Sequence, residues 1–186
     1  LLMLDTVHTL ACRPVMHKLI GSAWSDPPDR FWETVYTRFG LTNENLYPMT
    51  TPVDDVEIRP YINAGLLSVR PEAGIFRRWA DDFVAMCEDS SFEEMCKGSQ
   101  LHAIFLHQVA LTAAVLNTVS RDQLLILPLD YNYPLNLQEK MPADSRAKSL
   151  DDVVILRHDL RVFETSWRSS VTDSSNIWLW LETQLL

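Results

Sequence analysis

The stretch from Leu101 to Val119 constrains this chain more than any other. Leu101, Phe105, Val109, Thr112 and Leu116 recur at helical spacing, and the residues between them are apolar on almost every side. A helix without a polar face has to be surrounded, so the pattern predicts a central helix deep in the structure, with His102, His107 and Gln108 as its polar exceptions. The 186 residues, 47% hydrophobic with six Trp and seven Phe, suffice for one core around such a helix and are too few for two domains of ordinary size. Residues 1–186 therefore read as a single domain, with 165–186 as a C-terminal tail and helix.

The remaining segments alternate between strand and helix patterns. Leu1 to Leu4 is a short apolar run ending in Asp5, the pattern of a strand buried on both faces that delivers a carboxylate to a crevice. Pro14 to Ile20 reads as a short helix stopped by Gly21. Asp26 to Asp29 marks the start of a helix carrying Phe31, Trp32, Val35, Tyr36 and Phe39 until Gly40 ends it. Residues 41–60 have no sustained period and read as a long loop. Tyr61 to Val69 reads as a central strand interrupted by Asn63 and Gly65, the latter marking a bulge or a close approach. Ile75 to about Glu88 is an amphipathic helix, Leu124 to Pro128 a short strand, 138–148 a polar stretch without core signal, and Val153 to Leu156 a further buried strand. Ser174 to Asn176 caps a last short helix with Ile177, Trp178, Trp180 and Leu181. Strands separated by helices predict an α/β fold, a mixed sheet flanked by helices.

Charge removes whole classes of partner. With 25 acidic against 16 basic residues the net charge is −9 and the isoelectric point is about 4.9, so neither a nucleic acid nor an anionic membrane surface is an expected partner. The N-terminal apolar run is too short for a signal peptide or a transmembrane segment. Cys12, Cys87 and Cys96 form no CxxC pair and no even framework, which points to a reducing, cytoplasmic setting. No GxSxG, glycine-rich phosphate loop or HExxH is present.

The chemistry-bearing residues fall at element ends. Asp5 or His8 follows the first apolar run, Asn63 lies in the second strand, His107-Gln108 sits on the apolar helix, Asp130-Tyr131-Asn132 follows the third strand and His158-Asp159 the fourth. In an open α/β sheet such ends gather around one crevice. Carboxylate plus imidazole suits Mn²⁺ or Mg²⁺ bridging a diphosphate. Each residue also has a plain structural reading: His107-Gln108 as a satisfied buried polar pair, Asn63 as the cap of a bulge, Asp130 as the start of a turn.

Taken together and in order, these segments resemble the glycosyltransferases of the GT-A fold that use nucleotide-sugar donors, in the branch that includes glycogenin-like and galactosyltransferase-like enzymes. The resemblance runs from about residue 1 to about 160. It is carried by Leu2-Met3-Leu4-Asp5-Thr6-Val7-His8 with Arg13-Pro14, by Tyr61-Ile62-Asn63-Ala64-Gly65, by His107-Gln108, by Leu127 to Tyr133 and by Val154 to His158. It implies a divalent cation, Mn²⁺ or Mg²⁺, held by Asp5, His8 and His158. It further implies Asn63, Gly65, His107 and Asn132 at the substrate, and Gln108 and Asp130 as catalytic groups. The partners it implies are a nucleotide-sugar donor and an unknown acceptor.

The chain departs from that pattern in three ways. Asp5-Thr6-Val7 is a degenerate DxD, His107 stands where the family has Asp, and the strands that bind the nucleotide in the family would precede residue 1. The expected function is therefore transfer of a sugar from a nucleotide-diphosphate donor with metal assistance. The alternative is a truncated, non-catalytic relative acting as a binding or interaction module, and the C-terminal tail is a candidate surface for homo-oligomerisation.

Overall fold

The computed structural model describes residues 7–157, together with 179, 180 and 183. Asp5, His158, the apolar run 1–4 and nearly all of the tail 165–186 lie outside the described residues.

The centre of the sheet is a strand that the hydrophobic pattern hides. Leu10–Cys12 (β1) is only three residues long, but all three are fully buried. It pairs antiparallel with Ser68–Val69, and parallel with Leu124–Ile126. Met49–Thr50 (β2) and Glu57–Ile58 (β3) form a separate antiparallel pair inside the segment expected to be a loop. With Ser68–Val69 as β4 and Leu124–Ile126 as β5, the main sheet has the order β4-β1-β5. The fold is thus α/β with a small mixed sheet and helices against it.

Helix α1, Arg30–Phe39, begins where expected because Asp29 caps it: its side chain accepts a hydrogen bond from the Trp32 backbone N–H. It ends at Gly40, which sits at φ 65° and allows the left-handed cap. Helix α2, Ile75–Cys87, is amphipathic as predicted, whereas α3, Ser90–Gly98, has no counterpart in the sequence reading. Helix α4, Gln100–Thr118, is the predicted central helix; Leu106 and every residue from Gln108 to Leu116 are buried. By length and hydropathy α4 also passes for a membrane-crossing helix. In this structure α1, α2 and α3 pack against it, α2 most extensively.

Three segments depart from expectation, each because backbone groups find different partners. Pro14 to Ile20 is not helical: Val15 N–H donates to Tyr61 O, the Met16 carbonyl accepts from Val53 N–H, and Leu19 lies at φ 41° in a turn closed by Gly21. Tyr61 to Val69 is not one strand. Ile62 makes an isolated bridge to Pro14, the chain turns through Asn63 to Leu67, and pairing resumes only at β4. Val153 to Leu156 is not a buried strand either. Val154 and Ile155 both donate to the Asp130 carbonyl, Leu156 alone bridges to Tyr133, and Val154 is 52% exposed.

The polar stretch 138–148 also has a core role. Met141 and Leu150 pack with Tyr133 and Leu135 in a small cluster. Tyr133 Oη ties that cluster together by donating to Gln138 Oε1 at 2.6 Å and accepting from Ala147 N–H at 2.9 Å.

Candidate functional site

Beyond the C-terminal ends of the parallel strands β1 and β5 the chain opens a cleft of about 520 Å³. Its walls come from the turn after β1 (Val15, Met16, His17, Leu19), from Tyr61 and Asn63 to Gly65, and from α4 (Phe105, His107, Gln108). Asn132, Leu137 and Ile155 to Arg157 complete it. Four residues singled out from the sequence as substrate contacts, Asn63, Gly65, His107 and Asn132, thus meet in one place with Gln108.

The geometry of the floor follows from the break in the second strand. Asn63 is buried, and its N–H still donates to the Arg13 carbonyl at 2.9 Å. Its Oδ1 accepts from the Gly65 N–H at 2.7 Å and from Asn132 Nδ2 at 3.3 Å. Because a backbone N–H can only donate, this bond fixes the amide: Oδ1 faces Gly65 and Nδ2 is left for the cleft. Asn132 sits at φ 60°, a left-handed conformation that Asn tolerates better than most residues. Gly65 is required by crowding: a Cβ there would stand 2.8 Å from Asn63 Oδ1 and 3.3 Å from Asn132 Nδ2.

Helix α4 holds the other side. Thr112 Oγ1 accepts from Ile62 N–H at 3.0 Å and donates to the Gln108 carbonyl at 2.9 Å, stitching the broken strand to the helix. Gln108 Oε1 accepts from Ala64 N–H at 3.0 Å, which again fixes an amide with its nitrogen unspent on backbone. The Gln108 side chain lies beside the Tyr61 hydroxyl and draws that phenol downward against the larger upward push of burial. Tyr61 Oη, fully buried, makes no well-formed hydrogen bond among the described residues. His107 is anchored twice: its carbonyl accepts from Trp79 Nε1 at 2.7 Å, and its Nδ1 lies 3.0 Å from the Ile104 carbonyl.

Two site expectations land elsewhere. Asp130, expected beside Gln108, is absent from the cleft lining; it borders a neighbouring cavity of about 290 Å³ with Tyr133, Arg146 and Lys148. Its charge acts on Arg13, which is buried with Nη1 donating to the Leu127 carbonyl at 2.7 Å. Burial lowers the Arg13 guanidinium to about 10, and Asp130 is the largest influence opposing that fall. His8 precedes β1, at the end of the strand away from the cleft, with its carbonyl accepting from Arg70 Nε at 2.8 Å. Asp5 and His158 are outside the described residues, and among those described no group of three or more His, Cys, Asp or Glu side chains comes together to hold a metal ion.

The sequence reading missed His17, Tyr61, Phe105 and Arg157 as lining residues. For Tyr61 a signal is present, a bulky polar aromatic opening the interrupted strand, whereas His17 lies inside the segment whose pattern predicts a helix. Cys12, adjacent to Arg13, is no nucleophile, because burial pushes its thiol up to about 12 and keeps it protonated. All three cysteines are free thiols.

A cleft at the carboxyl ends of parallel strands, floored by amides and an imidazole and walled by aromatics, defines an α/β protein with a site for a small polar ligand. The family model of the Rhodobacterales glycosyltransferase domain matches residues 3–118, well over half of the chain and inclusive of every floor residue except Asn132. The chain belongs to that glycosyltransferase domain family. No curated protein and no solved structure matches it.

Proposed function

We propose that the chain transfers a sugar from a nucleotide-diphosphate donor to an acceptor, with the sugar seated in the cleft over Asn63 and Gln108. The observation that carries this reading is the unspent hydrogen-bonding capacity of the floor. Asn63 and Gln108 have committed their oxygens to backbone N–H groups, and Asn132 has committed its nitrogen to Asn63. What remains toward the cleft is amide donors from two residues, an amide acceptor from a third and one imidazole nitrogen. Neutral groups that both donate and accept suit a ring of hydroxyls, and the Tyr61 and Phe105 rings suit the C–H faces between them. Within this reading Gln108 orients the reacting sugar, Asn63 and Asn132 bind its hydroxyls, and Gly65 leaves room for their approach. Asp130 acts on the site through Arg13, from outside the cleft.

The GT-A assignment belongs to the same proposal, supported by a mixed sheet with the cleft at its parallel strand ends. A Mn²⁺ or Mg²⁺ ion, held by Asp5 and His158, would neutralise the diphosphate as it departs. The non-catalytic module stays the competing reading. One observation favours it: no carboxylate is among the described residues lining the cleft.

Thermal melting with UDP-glucose and UDP-galactose, with Mn²⁺ and with EDTA, tests the reading. A sugar nucleotide at about 100 times its Kd contributes about 2.7 kcal/mol, a rise of several degrees in Tm. Gln108→Glu keeps an oxygen for Ala64 N–H and removes the amide donor, so it is expected to fold normally and to abolish the rise. No rise with either nucleotide sugar under either condition overturns the proposal. A rise without release of UDP selects the binding module, and a rise that survives EDTA removes the metal from it.

A further inference from the structure

Resting on the glycosyltransferase reading of the cleft, we propose that His107 Nε2 is the general base that takes the proton from the acceptor hydroxyl. The argument starts from one contact. His107 Nδ1 lies 3.0 Å from the Ile104 carbonyl oxygen. A carbonyl oxygen can only accept, so Nδ1 carries a proton, and a neutral imidazole protonated there holds its lone pair on Nε2. The ring lines the cleft, half-buried, next in sequence to Gln108. Its backbone is pinned to α2 by Trp79 Nε1, and its ring is held by the Ile104 carbonyl one turn back on α4. No other interaction of this ring is present among the described residues.

The remaining lining residues leave the task to this nitrogen. Asn63, Gln108 and Asn132 are amides with no useful basicity, and Tyr61 is a phenol pushed upward by burial. The titratable groups sharing the cleft wall are His17 and Arg157, and no carboxylate is among the described lining residues. His17 lies on the turn after β1, whereas His107 is on α4, next in sequence to the residue that grips Ala64.

In the step, the acceptor oxygen forms its bond to the anomeric carbon while its proton passes to His107 Nε2. The bond from that carbon to the diphosphate oxygen breaks, and its electron pair leaves on the nucleotide diphosphate. The imidazolium so formed is stabilised by the Nδ1–H donated to the Ile104 carbonyl.

Two measurements test this. Long-range ¹H–¹⁵N NMR of the wild-type chain reads the tautomer directly: the Nδ1–H form of His107 is expected, and a neutral Nε2–H form overturns the proposal whatever the activity. UDP release from UDP-glucose is then followed against pH for the wild type, His107→Gln and His107→Asp, each checked for folding by its Tm. His107→Gln is expected to keep KM and the ligand-induced rise in Tm while losing about 100-fold or more in kcat. His107→Asp is expected to recover part of the rate, with the acidic limb of the profile at lower pH. Unchanged kcat in His107→Gln, or a higher KM at unchanged kcat, overturns the base and leaves the glycosyltransferase reading standing. No UDP release by the wild type from UDP-glucose or UDP-galactose also overturns the base; if neither nucleotide sugar then raises Tm, the sugar reading falls with it.

Discussion

Gly65 and Asn63 were legible as a pair because glycine in a strand signals close approach, and the structure shows what approaches: an amide oxygen 2.8 Å from where a Cβ would stand. Gly65→Ala must push Asn63 away from Asn132, at a cost of about 1–3 kcal/mol. Thermal melts are expected to show that loss together with a reduced response to sugar nucleotides. Asp130 was legible as important but not in its role. Its charge acts on a buried arginine whose own charge burial disfavours, so Asp130→Asn is expected to lower Tm while leaving the cleft's sugar response intact. A catalytic Asp130 would instead lose turnover at constant Tm. Nothing in the one-dimensional sequence separates those roles, since they differ only in which side of the Asp130–Tyr133 segment the carboxylate faces.

At the scale of elements, three of the four described α-helices were readable and the strands mostly were not. Helices α1, α2 and α4 announce themselves by period, by the Asp29 cap and by Gly40, all of which act within a few residues. The strands are two or three residues long, too short for any period to register, and those of the main sheet depend on partners 50 or more residues away. Two side chains tie α4 to the broken strand, Gln108 at Ala64 and Thr112 Oγ1 at Ile62. Thr112→Val preserves shape but leaves the Ile62 N–H buried and unpaired, so a loss of about 1–3 kcal/mol is expected, with faster hydrogen exchange at Ile62. Helix α2 offers a pH test. Burial, opposed by Arg78 bonded to both carboxylate oxygens, raises Asp82 above the ordinary value of 3.8. A carboxyl that binds its proton more tightly when folded favours folding in acid and gives up that contribution as pH climbs from 3.8. The wild type is therefore expected to lose Tm relative to Asp82→Asn as pH rises through that range.

For the molecule as a whole, a net charge of −9 and a cleft lined by neutral amides, two histidines and one arginine describe a surface that repels polyanions and a site that takes a polar ligand locally. Labelled duplex DNA at low salt is expected to show no change in anisotropy with added protein; binding that weakens with salt would contradict this. By itself the sequence determined the α/β class and the buried central helix, which follow from local periodicity, and it marked Asn63, His107, Gln108 and Asn132 as chemistry-bearing residues at element ends. Only the tertiary structure decided that β1 is Leu10–Cys12, that Pro14 to Ile20 forms a cleft wall rather than a helix, and that Asp130 borders a neighbouring cavity instead of the cleft. It also decided which atoms of the floor are spent and which remain, because an amide or an imidazole acquires its orientation from the backbone groups that fold against it.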